Sequence, residues 1–185
     1  MMEGKELAAR LKAELKPARW EHTRGVLRTA ERLALAHGLD PQRARLAALL
    51  HDCGKAWGRE ALLARLKAAG ADAEEAALPA LWHAPVGAWR ARHDFGCRDA
   101  EILEAVRYHS TGAPGQTPLQ KLLFVADYIE PGRPPWPELP ALRRLARKDL
   151  AAAWGQVLKC KLLDLVARER PLHPRSLAAY HEAFR

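Results

Sequence analysis

The amino-acid sequence predicts an all-α protein folded as a single domain. Ala, Leu and Arg dominate and β-branched residues are few, so intrinsic preference runs toward helix. The 12 glycines and 13 prolines gather between apolar stretches instead of recurring at strand spacing. Within those stretches apolar residues return every three or four positions, as on one face of a helix. A chain of 185 residues is long enough for one sizeable core and short for two, so 1–185 is read as one domain.

Pro17 stands where a first helical turn tolerates proline, and Val26, Leu27, Ala30, Leu33, Ala34 and Ala36 continue at helical spacing until Gly38. This helix carries His22 near its start. Asp40 and Pro41 read as an N-cap and a first helical residue, and the apolar run 44–50 makes the second helix central, ending around Cys53 and Gly54. Glu60 to Ala69 forms a short helix closed by Gly70, Pro79 to Arg92 another, and Asp99 to Tyr108 a third that leads into the loop 110–118. Leu119 to Ile129 is a further helix with Asp127 in its last turns, stopped by Pro131, Gly132, Pro134, Pro135 and Pro137. Leu139 to Arg168 and Pro174 to Phe184 read as helices packed on the outside of the core.

A formal net charge of +8 attracts phosphate-bearing partners, but acidic residues interleave with basic ones across 101–107 and 159–170, so no dedicated nucleic-acid site is expected. Cys53, Cys97 and Cys160 lie far apart and never as C-x-x-C, which argues against a disulfide framework and a thiolate zinc site and suits a reducing cytoplasm. The first 16 residues are charged without a signal-peptide core, and no run of about 18 apolar residues occurs, so neither export nor a membrane span is expected.

The informative peptide is His51-Asp52, placed after Ala47-Ala48-Leu49-Leu50. A charged Asp is rarely buried unless it is paired or binds a metal. Neighbours on a helix diverge by about 100 degrees, so both side chains reach one metal only if the helix ends or bends there, which Gly54 permits. His22, His83, His109 and Asp127, each near a predicted helix end, are the other candidates. One such histidine alone is ordinarily a cap or a satisfied core residue, and His51-Asp52 alone also suits a helix C-terminus; the set together carries the inference. Imidazole and carboxylate without thiolate suit iron, manganese, zinc or cobalt and leave positions open for water and phosphate oxygen. His37, His93, His173 and His181 are read as structural, and Trp20, Trp82, Trp89 and Trp154 as core residues of helices.

His22, then Ala48-Leu49-Leu50-His51-Asp52-Cys53-Gly54-Lys55, Leu81-Trp82-His83-Ala84-Pro85-Val86-Gly87, Tyr108-His109-Ser110-Thr111-Gly112 and Val125-Ala126-Asp127-Tyr128-Ile129-Glu130-Pro131-Gly132-Arg133 resemble, in order, the YqeK family of HD-domain proteins. His-Ala-Pro-Val-Gly and Ala-Asp-Tyr-Ile-Glu-Pro-Gly-Arg are the more particular motifs. The resemblance implies an HD-domain helical bundle, with 17–133 as the metal-binding catalytic core and 139–185 as C-terminal helices packing on it. It implies hydrolysis of diadenosine tetraphosphate at its central bridge to two ADP. It also implies that His22, His51, Asp52 and Asp127 hold a metal, most commonly iron, while His83 and His109 either ligate a second ion or contact phosphate or the attacking water. Cys53-Gly54 departs from the more typical apolar residue and Ala or Cys within His-Asp-x-x-Lys.

Under that reading an acidified water attacks a bridging phosphorus, with Asp52, His83, His109 and Lys55 as the catalytic set. Lys55, Arg133, His83, His109, Thr111 and Arg19 are the expected substrate contacts, the cations matching charge that develops on phosphoryl oxygens. The rival readings are another HD phosphohydrolase, a mononucleotidase or an alarmone hydrolase, and an HD module bound to RNA or the ribosome. A homodimer through the C-terminal helices is the assembly considered.

Overall fold

The computed structural model describes residues 4–185. Among them the chain forms eleven α-helices and two short 3-10 turns, with no strand. Helix α1 spans Gly4–Glu14, α2 Pro17–Ala36 and α3 Pro41–Leu50, followed by a 3-10 turn at Cys53–Ala56. The Asp40 carboxylate caps α3 by accepting from the Gln42 and Arg43 N–H groups. Next come α4 Arg59–Arg65, α5 Ala73–Ala77, a 3-10 turn at Pro79–Leu81, α6 His83–His93 and α7 Ala100–Tyr108, capped by Asp99. Helix α8, Pro118–Ile129, begins with a capping box between Thr117 and Gln120. Last are α9 Leu139–Lys148, α10 Leu150–Ala167 and α11 Pro174–Ala183.

Three elements depart from the sequence reading. The stretch 79–92 is broken, because Pro85 withholds the N–H that the Leu81 carbonyl needs to continue one ladder. The stretch 139–168 divides at Asp149, whose extended backbone (φ −146°, ψ 101°) ends α9 and whose carboxylate caps α10 through Ala152 N–H. Nor does α10 lie outside the core. Its Ala153, Trp154, Val157 and Leu158 belong to the same buried cluster as α3 and α8, and Trp154 donates its indole N–H to Gln116 Oε1 at 2.9 Å. Each large apolar side chain so buried is worth about 1.5–3 kcal/mol. Helix α1, unread in the sequence, joins the core through Leu7 and Leu11, with Leu15 just beyond it on the same stripe.

Helix α3 is the centre of the bundle: Ala44, Ala47, Ala48, Leu49 and Leu50 are all buried, against α2 on one side and α7 and α8 on the other. Small residues let these backbones approach closely. At the end of α3 the chain tightens into the 3-10 turn and runs against α6. A Cβ on Gly54 would stand 2.2 Å from the His83 carbonyl oxygen, so the glycine is required by close approach, not by an unusual φ. Cys53, fully buried, donates from Sγ to the Gly87 carbonyl at 3.2 Å. The departure at Cys53-Gly54 is thus where the turn docks on the helix that begins with His83.

Candidate metal centre

Five helices deliver the candidate ligands to one point. His22 comes from the first third of α2, His51 and Asp52 from the end of α3, His83 from the start of α6, His109 from the residue after α7 and Asp127 from the last turn of α8. The α-helical ladder stops at Leu50, and Asp52 takes φ −106°, ψ 13° before the 3-10 turn, which swings its carboxylate to the same side as His51. His22 Nε2 lies 3.0 Å from Asp127 Oδ1, and His51 Nε2 lies 3.4 Å from Asp52 Oδ2 and 4.0 Å from Asp127 Oδ1. The other oxygen of Asp52, Oδ1, is 3.6 Å from Nε2 of both His83 and His109. Asp52 therefore joins two ligand groups, His22 and His51 at one oxygen, His83 and His109 at the other, with each group's donor atoms within 4.8 Å of one another.

The protein fixes which nitrogen faces inward. His51 Nδ1 donates to the Ala48 carbonyl at 2.7 Å and His109 Nδ1 to the Val106 carbonyl at 2.6 Å; a carbonyl only accepts, so Nε2 of each is the nitrogen turned to the centre. His22 Nδ1 is held by Glu130 Oε1 at 3.2 Å. Electron-pair donors thus converge: His22 Nε2 and His51 Nε2 are 3.4 Å apart, His83 Nε2 and His109 Nε2 3.2 Å. Asp52 Oδ1 is buried with no hydrogen-bond partner. An orphaned carboxylate oxygen among inward-facing imidazoles, with no thiolate near, fits transition-metal ligation, which would give such donors a partner.

The electrostatics agree. Burial would raise the Asp52 carboxyl, yet the neighbouring imidazoles of His51, His109 and His83 hold it well below the usual range. Burial opposes ionisation of Asp127 too, but His22, His51, Lys161 and Arg133 keep it well below. Burial pushes His51 down, and the carboxylates of Asp52 and Asp127 more than offset this and raise it, a field that favours any cation at the centre. Burial keeps His83 well below the ordinary imidazole range, assisted by Lys55 and opposed by Asp52. His109 is lowered by burial as well, so His83 and His109 face the ionised Asp52 as neutral imidazoles.

The expected substrate cations line the rim. Arg19 Nη1 bonds Asp52 Oδ2 at 2.8 Å, Arg133 Nη2 bonds Asp127 Oδ1 at 2.9 Å, and Lys55 Nζ is 3.7 Å from Asp52 Oδ1; each remains about one-third exposed. Thr111 is buried, its hydroxyl donating to the Gly112 carbonyl at 2.9 Å. Three residues escaped the sequence reading. Ser110 places Oγ 3.1 Å from His83 Nε2 and 3.2 Å from His109 Nε2. Lys161 of α10 enters the field of Asp127, and burial, with Arg133 and Lys55 beside it, lowers its ammonium to about 8 against the pull of Asp127. Its signal was a lysine continuing the buried stripe of Trp154, Val157 and Leu158.

Glu130, 3% exposed, is the third. Besides orienting His22 it accepts from the Gly132 N–H, and it fits only because α2 carries Gly25, where a Cβ would meet Glu130 Oε2 at 2.1 Å. Gly25→Ala is expected to push Glu130 off His22 and weaken metal affinity by about 10- to 100-fold, the usual effect of losing a partner that orients a ligand. Chelator-competition titration checks this, and an unchanged affinity would remove Glu130 from the site's support.

Fold and site together define a helical protein with a buried histidine-aspartate cluster that could hold a metal ion. Residues 19–132 match the HD domain family. The chain is 38% identical over 183 residues, 97% of each chain, to the symmetrical bis(5'-nucleosyl)-tetraphosphatase of Bacillus subtilis (strain 168). It is 37% identical to the protein of the same name from Halalkalibacterium halodurans, over 98% of this chain and 97% of that one. A crystal structure described as a predicted HD superfamily hydrolase involved in NAD metabolism, from Clostridium acetobutylicum, superposes with a TM-score of 0.93 at 30% identity, covering 100% of this chain and 98% of the other. The chain belongs to the HD-domain family, in its YqeK branch.

Proposed function

We propose that this protein hydrolyses diadenosine tetraphosphate at its central phosphoanhydride bridge, releasing two ADP, with a transition-metal centre held by His22, His51, Asp52 and Asp127. Supporting it above all is the convergence of these four side chains in a chain that matches, over nearly its whole length, proteins named for this reaction. Iron is the ion assigned first; manganese, cobalt and zinc suit the same donors. No described helix is long and apolar enough to cross a membrane. Its three free cysteines support a reducing cytoplasm as the proposed compartment.

A metal bound there acidifies water toward neutrality and neutralises phosphoryl charge. The protein's own groups do the rest. Ala48 O, Val106 O and Glu130 hold the imidazoles in the ligating orientation, so little reorganisation is needed on binding. Arg19, Arg133 and Lys55, each part-exposed and already beside a ligand carboxylate, present their remaining N–H groups to phosphoryl oxygens, where charge grows in the transition state. Asp52 and Asp127, ionised across the neutral range, can accept a hydrogen bond from the attacking water and so orient it.

The division of Asp52 between two ligand groups supports a second ion, which Asp52, His83 and His109 would hold. His83→Ala is then expected to lower metal content by about one ion per chain, read by elemental mass spectrometry, and full retention would return His83 to a phosphate- or water-contacting role. The reaction itself is tested by metal-supplemented turnover of diadenosine tetraphosphate with chromatographic separation of products. ADP as sole product is expected. AMP plus ATP would overturn the symmetrical cleavage, and phosphate plus nucleoside from mononucleotides would favour the nucleotidase reading.

A further inference from the structure

Where α2 packs on α9 lies a cavity of about 480 Å³ lined by none of the residues assigned to metal or substrate. Three guanidiniums line it, Arg32 of α2 with Arg143 and Arg147 of α9, and its apolar wall includes Leu33 and Ile129. We propose that this cavity binds a small organic phosphate, at a site separate from the metal centre and independent of the reaction assigned there.

Unbalanced charge carries the argument. Among the described residues none of the three arginines forms an ion pair, and no carboxylate lines the cavity. Four other cavities each combine arginine with a carboxylate, as Arg43 with Asp99 or Arg107 with Glu104. Like charges one turn apart on a helix, as at 143 and 147, destabilise it unless an anion joins them. Arg143 is also held ready. Its Nε donates to the Ile129 carbonyl at 2.9 Å and its Nη2 to the Glu130 carbonyl at 2.8 Å, which fixes the plane of the guanidinium and leaves Nη1 for a ligand. A group so fixed loses little freedom on binding, and the arginine fork matches phosphate oxygens. A phosphomonoester carries about −1.5 to −2 charges near pH 7, so one or two phosphate groups balance three guanidiniums. The buried Leu33 and Ile129 offer the organic part an apolar contact, and the volume is in the range of small-molecule sites. Thr29, on the same wall, stands two turns past His22, about 10 Å along α2, which sets the site apart from the ligands.

Arginine modification by phenylglyoxal, mapped by peptide mass spectrometry on the metal-loaded full-length protein, reads this site separately from Arg19 and Arg133. Saturating inorganic phosphate is expected to slow modification of Arg32 and Arg147 about fivefold, and AMP to do so at about tenfold lower concentration because its body meets the apolar wall. In Arg147→Gln the protection of Arg32 is expected to be lost, with turnover of diadenosine tetraphosphate within about twofold of wild type. Arg147 is exposed, so this variant folds, and a thermal melt checks it. Protection confined to Arg19 and Arg133 would place the anion at the metal centre alone and overturn the second site. Equal protection by sodium chloride at matched ionic strength would reduce the effect to screening and overturn it too. AMP and phosphate acting at the same concentration would overturn the organic ligand, and protection by a short RNA but by neither small anion would make the surface a nucleic-acid face instead.

Discussion

Asp52→Asn is expected to yield a folded protein that turns over diadenosine tetraphosphate about a thousandfold more slowly and retains little metal. The substitution keeps shape and removes charge. Asp52 stands at the junction of both ligand groups, one oxygen toward His22 and His51, the other toward His83 and His109, and the whole carboxylate is 2% exposed. A metal ion contributes several kcal/mol of transition-state stabilisation, so losing its anchor gives a deficit of about that size. Stability changes little, because the partner left unpaired, Arg19, is about one-third exposed and can be hydrated. Initial rates, elemental analysis and a thermal melt on one preparation check the three parts. Retained metal with full turnover would remove Asp52 from the centre.

Arg90→Met has its effect on stability. Arg90 is 2% exposed and makes three charge-assisted bonds, to the Cys53 carbonyl at 2.6 Å, Glu14 Oε2 at 2.7 Å and Asp94 Oδ2 at 2.8 Å, while lying over the Trp57 ring at 4.7 Å. It ties α1 to α6 and clamps the turn that follows Asp52. Methionine fills part of the volume and takes a donor from Asp94, from Glu14, which keeps Arg10, and from a buried carbonyl, a loss of about 3–5 kcal/mol. For a chain of this size the melting temperature falls by roughly 10 °C. Arg90→Lys rescues only in part, since one ammonium cannot reach three acceptors set for a planar fork. A pH signature accompanies it. Although burial works against ionisation, Arg90 and Arg10 hold the Glu14 carboxyl below its ordinary value. That contribution is present above the unfolded value of about 4.3 and is lost as pH falls through the folded one, so acid narrows the gap between wild type and variant. A gap that widens in acid would contradict this assignment.

Much of this was legible in the sequence because helices announce their limits. Asp40-Pro41 and Asp99 each start a helix where the sequence puts it, and His51-Asp52 at the end of an apolar run lies in the cluster the helices assemble. What stayed hidden has one physical cause: a charged residue in a core-facing position looks, in one dimension, like the end of the apolar stripe. Arg90 and Lys161 sit at such positions, and only the packed helices reveal the acidic partners and carbonyls that receive them. Glu130 was read as part of a motif, but its service to His22 depends on the space left by Gly25, 105 residues earlier in the chain. Helix α1 was overlooked because Leu7, Leu11 and Leu15 are spread among charges, so no apolar run marks it.

The supports of the ligand histidines also differ in how they tolerate mutation. His51 and His109 are steadied by main-chain oxygens three residues before them, at Ala48 and Val106, and every amino acid brings that oxygen. Drift at those two positions is limited by packing alone. His22 relies on a side chain, Glu130, which in turn relies on a missing one at Gly25. Among the residues that orient these three histidines, random mutagenesis scored for metal retention should therefore find its damaging substitutions at 25 and 130, with 48 and 106 accepting any residue small enough to fit.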